Sequence, residues 1–242
     1  MLGQFSEPRS MVFDAGPVIS LAMNNLLWVL ARLKQQFGGE LYITDKVKEE
    51  LIDRPLHTKR FKFEALQILK LVSEGTIGIR DTVGLSKSVS RLLGLANNSF
   101  KARKKYIRIV HDGEISSLSC ALALRASCVV IDERTTRRLV EEPYSIAELL
   151  KARLHTEIAV NKNNLDELSS ELSGLRVLRS TELITVAYEL GLFDSYATCT
   201  AARIARAEEI KKELLDSLLW GLKLNGCAIT KEELNRLLRL ET

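Results

Sequence analysis

Three short apolar runs constrain this chain more than any other feature. They are Ser10 to Asp14 (SMVFD), Glu40 to Thr44 (ELYIT) and Cys128 to Asp132 (CVVID), and each gives way almost at once to a helical pattern. Runs of this length read as strands. Strands that alternate with helices need crossover connections, and those connections favour a parallel sheet covered on both faces. The expected class is therefore α/β: a Rossmann-like parallel sheet flanked by helices. A helical C-terminal extension follows from the charged, amphipathic pattern of Ala201 to Leu224 and the capping-box start of a last helix at Thr230.

The rest of the chain fits around these units. Gly16-Pro17 turns the first strand into an apolar helix expected to run through Leu33, and Thr44 or Asp45 can cap the helix that carries Val47, Glu50 and Leu51. Between His57 and Val110 the pattern is less regular: a helix near Phe63 to Val72, a strand near Thr76 to Arg80 and a small helix near Lys87 to Leu95. We read residues 57–106 as an inserted arm. His111-Asp112-Gly113-Glu114 then opens the helix that leads to the Cys128 strand, and a further helix follows Asp132. Another spans Ile146 to Leu154. A last strand is expected at Leu175 to Leu178, with Ser180 placed to cap the helix Glu182 to Leu190, which ends at Gly191. The expected organisation is a main domain over residues 10–194 and the helical extension over 195–242.

Several classes of protein are excluded early. Apolar residues make up 46% of the 242, too many for a disordered chain. The apolar runs are broken well short of the ~20 residues that span a bilayer, and Met1 to Arg9 lacks the apolar core of a secretion signal. The expectation is a cytoplasmic protein that contacts no membrane. Cys120, Cys128, Cys199 and Cys227 form no CxxC pair and read as buried free thiols. His57, His111 and His155 have no zinc-ligand spacing. Neither GxGxxG, GxxxxGK[ST] nor GxSxG occurs, which disfavours nucleotide-binding enzymes and serine hydrolases. Any metal must be held by oxygen.

The acids supply that oxygen. Asp14 and Asp132 each end an apolar strand, Glu114 opens the helix leading to the Asp132 strand, and Glu50 sits one turn into the second helix. In a right-handed parallel sheet they gather at the C-terminal edge. Clustered carboxylates repel one another, so they persist where a cation compensates, and Mg2+ or Mn2+ suits an all-oxygen donor set. Phosphodiester hydrolysis is the chemistry such a site performs. The net charge of +4, from 35 basic and 31 acidic residues, says little, but its distribution says more. Lys101, Arg103, Lys104, Lys105 and Arg108 surround Phe100 and Tyr106 in the run FKARKKYIR, as a phosphate-binding surface requires. Arg134 and Arg137, with Arg138, lie just past the last acid. Read singly, each feature has a plainer role: Asp14 and Asp112 as helix caps, Glu114 as a first-turn acid, Glu50 as a solvent-facing residue, Asp132 as a salt-bridged turn, the basic residues as a solvated face.

Taken in order, VFDAGPVISL, VKEEL, HDGEISSLSCALAL and VVIDERTTRRL resemble the PIN-domain nucleases, particularly the longer archaeal-type members, and RSTELITVAYELGLF resembles the closing portion of such domains. The resemblance implies a PIN-like fold and a Mg2+- or Mn2+-dependent endoribonuclease. It also implies a metal held by Asp14, Glu50, Glu114 and Asp132, with Asp132-Glu133 leaving two candidates for the last position. Homodimers are common for the fold. Ala15-Gly16 stands where the family usually has Ser or Thr. The alternatives are an RNA-binding or ribosome-maturation module that does not cut, and, with less support from a chain of this length, the toxin of a toxin and antitoxin pair. The C-terminal helices offer a surface for a protein partner.

Overall fold

A computed structural model describes residues 9–198 and 207–240. Cys199, the first six residues of the helix expected from Ala201, and nearly all of the Met1 to Arg9 start lie outside the described residues. β1 (Ser10–Phe13), β2 (Glu40–Thr44), β3 (Ile77–Arg80), β6 (Cys128–Val130) and β8 (Val177–Leu178) form one parallel sheet in the order β3-β2-β1-β6-β8. The chain order reverses between β1 and β6, and in open α/β sheets the crevice beyond the strand ends at such a point is where ligands bind.

Successive side chains of a strand point to opposite faces, and two cores result. Phe13, Leu41, Ile43 and Val130 face one of them, packed against α1 (Ala15–Met23) and α2 (Trp28–Phe37). Val12, Val129 and Ile131 face the other, packed against Leu118 and Ala121 of α7 (Asp112–Ala123). The expected single helix through Leu33 is two. It breaks after Met23 because Asn25 takes a left-handed conformation (φ 58) and the Asn24 amide donates back to the Ser20 carbonyl.

The stretch 57–106 is not an inserted arm. After α3 (Asp45–Lys48), a π turn over Glu49–Asp53 and α4 (Arg54–Leu56), α5 (Lys62–Ser73) buries Ala65, Ile68 and Leu71. It delivers β3 into the main sheet beside β2. The strand expected near Thr76 to Arg80 is thus the edge of the main sheet, with Ile79 and Arg80 exposed. Gly78 is required within it: a Cβ there would lie 2.7 Å from the Tyr42 ring, over which Arg80 stacks at 4.1 Å.

α6 (Ser86–Asn97) then packs Leu92 and Ala96 into the second core. The basic run forms a hairpin of β4 (Phe100–Ala102) and β5 (Lys105–Tyr106), turned by Arg103 and Lys104 at positive φ. β4 also pairs with β7 (Ile158–Val160), which, like α10 (Lys162–Leu172), had not been expected. α8 (Arg134–Glu141) and α9 (Ser145–Leu154) lie between β6 and β7.

α11 (Ser180–Glu189) and the short α12 (Asp194–Thr198) lead to α13 (Ala207–Leu224) and α14 (Lys231–Leu240). Leu215, Leu219, Leu222 and Leu234 are fully buried in the same core as Phe13 and Val18. The extension's apolar face is therefore used inside the molecule. Cys120, Cys128 and Cys227 are buried and unpaired, and burial pushes their thiols up, Cys227 to about 12.

Candidate metal centre

A cavity of about 650 Å3 opens at the β1/β6 reversal, walled in part by Asp14, Glu50, Glu114 and Glu133. Each acid arrives on a different element. Asp14 follows β1 and is only 6% exposed. Glu50 is carried on the π turn, an irregularity that recurs at functional sites because it redirects side chains. Glu114 is the third residue of α7 and accepts from the His111 backbone N–H at 2.6 Å, closing the turn that begins the helix. Glu133 is the N-cap of α8, accepting from the Thr136 backbone N–H at 2.6 Å.

Asp132 is placed differently. Its Oδ1 accepts from the Ser180 backbone N–H at 2.7 Å, and its Oδ2 accepts from the hydroxyls of Ser20 and Ser180, each at 2.8 Å. It is 3% exposed and does not line the cavity. A Cβ built on Gly16 would touch the Asp132 Cβ at 3.5 Å and come within 4.0 Å of an Asp14 oxygen, so Asp132 lies directly behind the first acid. Of the Asp132-Glu133 pair, the geometry puts Glu133 at the cavity and Asp132 in the wall beneath it. Ser180, expected as a cap, is instead the first residue of α11 and serves Asp132, and Arg179 holds the cap position.

The electrostatics are those of an uncompensated cluster. Burial, then the charges of Glu114 and Glu50, push the Asp14 carboxyl up to about 7, against the pull of the Ala15 and Gly16 backbone N–H groups. Burial also raises Glu114, with Glu133 and Glu50 adding to it. An excess of carboxylate oxygen with no nitrogen or sulfur donor suits a hard divalent cation. Among the described residues no three acidic, histidine or cysteine side chains are gathered tightly enough to hold an ion by themselves. Mg2+ tolerates this, since it commonly keeps several waters and takes only one or two carboxylates.

The basic candidates divide. Arg108 is on the cavity wall beside Asp112 and His111, joined there by two cations that no sequence motif marks, Lys46 and Arg54. Lys101 lies 4.1 Å over the Tyr106 ring, and Arg103, Lys104 and Lys105 are exposed along the hairpin that leads away from Arg108. Arg134 is partly exposed. Arg137 is turned inward: its guanidinium faces Glu141 at 3.7 Å and Glu233 at 3.6 Å with 15% of the side chain exposed, so it ties α8 to α14 and is not open to phosphate.

A parallel sheet flanked by helices, with acids converging at its reversal point, defines an α/β protein with an acidic cavity at its switch point. The family model described as a PIN domain matches residues 10–143, and the chain belongs to the PIN-domain family. PIN domains are generally nucleases and typically use divalent metals. No curated protein and no solved structure matches the chain.

Proposed function

We propose that this protein is a Mg2+- or Mn2+-dependent endoribonuclease that hydrolyses phosphodiester bonds in single-stranded RNA or in loops of structured RNA. The observation that carries the reading is the gathering of Asp14, Glu50, Glu114 and Glu133 from four separate elements onto one cavity, where burial, with the charges of Glu114 and Glu50 adding to it, pushes Asp14 up to about 7. Asp14, Glu114, Glu50 and Glu133 are the residues that would hold the ion. A divalent cation supplies Lewis-acid stabilisation of the charge that builds on the attacked phosphate. Asp132, saturated by Ser20 and Ser180, fixes the loop that presents Glu133. Arg108, Lys46 and Arg54 offset the acids' repulsion of a polyanion, and the exposed Lys101 to Lys105 hairpin tracks the backbone on the approach. Single strands fit because their backbone reaches into a walled cavity that a rigid duplex enters less readily.

The competing reading, a PIN module that binds RNA in a processing or ribosome-maturation assembly without cutting it, draws on the lack of three converged ligands among the described residues. The toxin reading has no feature of its own here. Among the described residues no helix is long and apolar enough to cross a membrane. Cleavage of a fluorophore-labelled single-stranded RNA with Mn2+, alongside calorimetric Mn2+ titration, tests the proposal. Asp14→Asn is expected to lower the rate about a thousandfold, or about 4 kcal/mol of transition-state stabilisation, and to abolish carboxylate-dependent Mn2+ uptake. Undiminished cleavage by Asp14→Asn and by Glu114→Gln would sink the assignment, and RNA binding without Mn2+ uptake would favour the non-cutting module.

A further inference from the structure

The carboxylate cavity has a neighbour. On the other side of Glu50 lies a second cavity of about 250 Å3, walled by Ile19, Met23, Leu51, Phe61 and Ile68, with Glu64 also in its lining. Ile19 and Glu50 line both cavities, so the two adjoin. The second wall is apolar except for its two acids, and neither Glu50 nor Glu64 has a hydrogen-bond or ion-pair partner among the described residues. With Glu50 given to the ion, Glu64 is the acceptor left to this hollow, which is matched to a ligand that is flat, apolar on its faces and able to donate from its edge.

Phe61 adds an independent sign. It precedes α5 with φ 60, a left-handed conformation that a bulky residue adopts only when its surroundings enforce it. Phe61 is 39% exposed and lines the pocket, with the Arg60 guanidinium 4.5 Å from its ring centroid. Aromatic and guanidinium planes are what unstacked RNA bases lie against. The volume falls below the ~300–1,000 Å3 of pockets that bury drug-sized ligands, and suits one ring system.

We propose that this pocket seats the base adjoining the scissile phosphate, with Phe61 and Ile19 against its faces and Glu64 accepting from its Watson–Crick edge, and that guanine is the base preferred. An ionised carboxylate only accepts, and it takes two parallel donors at once. Guanine is the one RNA base whose Watson–Crick edge places two N–H donors side by side, the ring N–H and the exocyclic amine. The others set a single donor beside acceptors, which a carboxylate repels. The inference rests on the nuclease reading for its substrate but not for its measurement.

The four ribonucleoside monophosphates and ribose phosphate are titrated calorimetrically into the full chain in EDTA, so that no metal-dependent step enters. The guanine nucleotide is expected to bind roughly tenfold more tightly than the other three. Glu64→Gln should erase that preference and Phe61→Ala should weaken all four, with unchanged thermal midpoints confirming that both variants fold. Equal binding of all four nucleotides and ribose phosphate by the unaltered chain overturns the proposal without recourse to any variant. So does a finding by sedimentation that Phe61→Asp converts a dimer to monomers while nucleotide affinity stays the same, since the hollow is then a subunit contact. Mn2+-dependent cleavage with no base preference removes the pocket and leaves the nuclease standing. Guanine-selective binding with no cleavage does the reverse.

Discussion

Two polar clusters sit within this fold, and they are built on opposite rules. Around Asp14, acid faces acid: Glu50, Glu114 and Glu133 share its cavity, and the Asp14 carboxyl is pushed up to about 7. Around Arg179, charge is matched. Its guanidinium holds Glu182 through Nε at 2.7 Å and Glu233 through Nη1 at 3.0 Å, with Arg137 nearby. Partial burial works to raise Glu233, yet the Thr230 N–H and Arg179 outweigh it and bring the carboxyl down to about 2. Each cluster is anchored by one buried group, Asp14 or Arg179, but only the second holds α8, α11 and α14 together. The first opposes folding by itself. Repulsion retained at a sheet reversal, beside matched pairs elsewhere, marks the place where something else must complete the charge.

The largest expected effect tests the repulsive side. Because the folded protein holds the Asp14 proton more tightly than the unfolded chain, its contribution to stability is full below about 3.8 and lost as pH rises through about 7. Metal-free protein should lose about 2–4 kcal/mol over that window, read from urea unfolding at a series of pH values. Asp14→Asn should flatten the slope and raise the midpoint at neutral pH, and Mn2+ should restore the unaltered protein. A slope that the substitution leaves unchanged removes the account of acid against acid. On the matched side, Arg179→Ala should destabilise by about 2–3 kcal/mol, less than a deeply buried pair because Glu182 and Glu233 are partly exposed. A loss under about 0.5 kcal/mol, the size of an ordinary surface change, would show that the cluster does not tie the helices.

The smallest effect sharpens the boundary between the two rules. Asp132→Asn should cost about 1–2 kcal/mol, since the amide can still accept from the Ser180 N–H while the hydroxyls reorient. It should change Mn2+ affinity less than Glu133→Gln does. The reverse ranking by calorimetry would return Asp132 to the cavity and Glu133 to a capping role.

The strands that fix the site were legible because they are apolar on both faces: SMVF, LYI and CVV announce a covered parallel sheet, and the acids at their ends follow from where such strands stop. β7 was not, since Ala159 is exposed on a short edge that carries no continuous apolar signal, and β3 was legible as a strand near Thr76 to Arg80 but not as a member of the main sheet. α10 left a trace that went unread, as Leu165, Leu168 and Leu172 repeat at helical spacing and are buried. Within the site, Asp14, Glu50 and Glu114 were identified by chain position, and the structure brings them to one cavity. The choice between Asp132 and Glu133 was beyond the sequence, because it is made by Ser20 and Ser180, which lie 112 and 48 residues away from Asp132. Arg137 was misread for a similar reason: its partner Glu233 lies on a helix nearly a hundred positions further along.

The Asp132 backbone carbonyl accepts a hydrogen bond from the Ala228 N–H at 3.0 Å. A polypeptide leaving the ribosome therefore carries all of its cavity acids into the open well before the donor that latches their supporting loop has been synthesised. A product clipped ahead of Ala228 is in the same condition, with the reactive groups present and the clasp behind them missing.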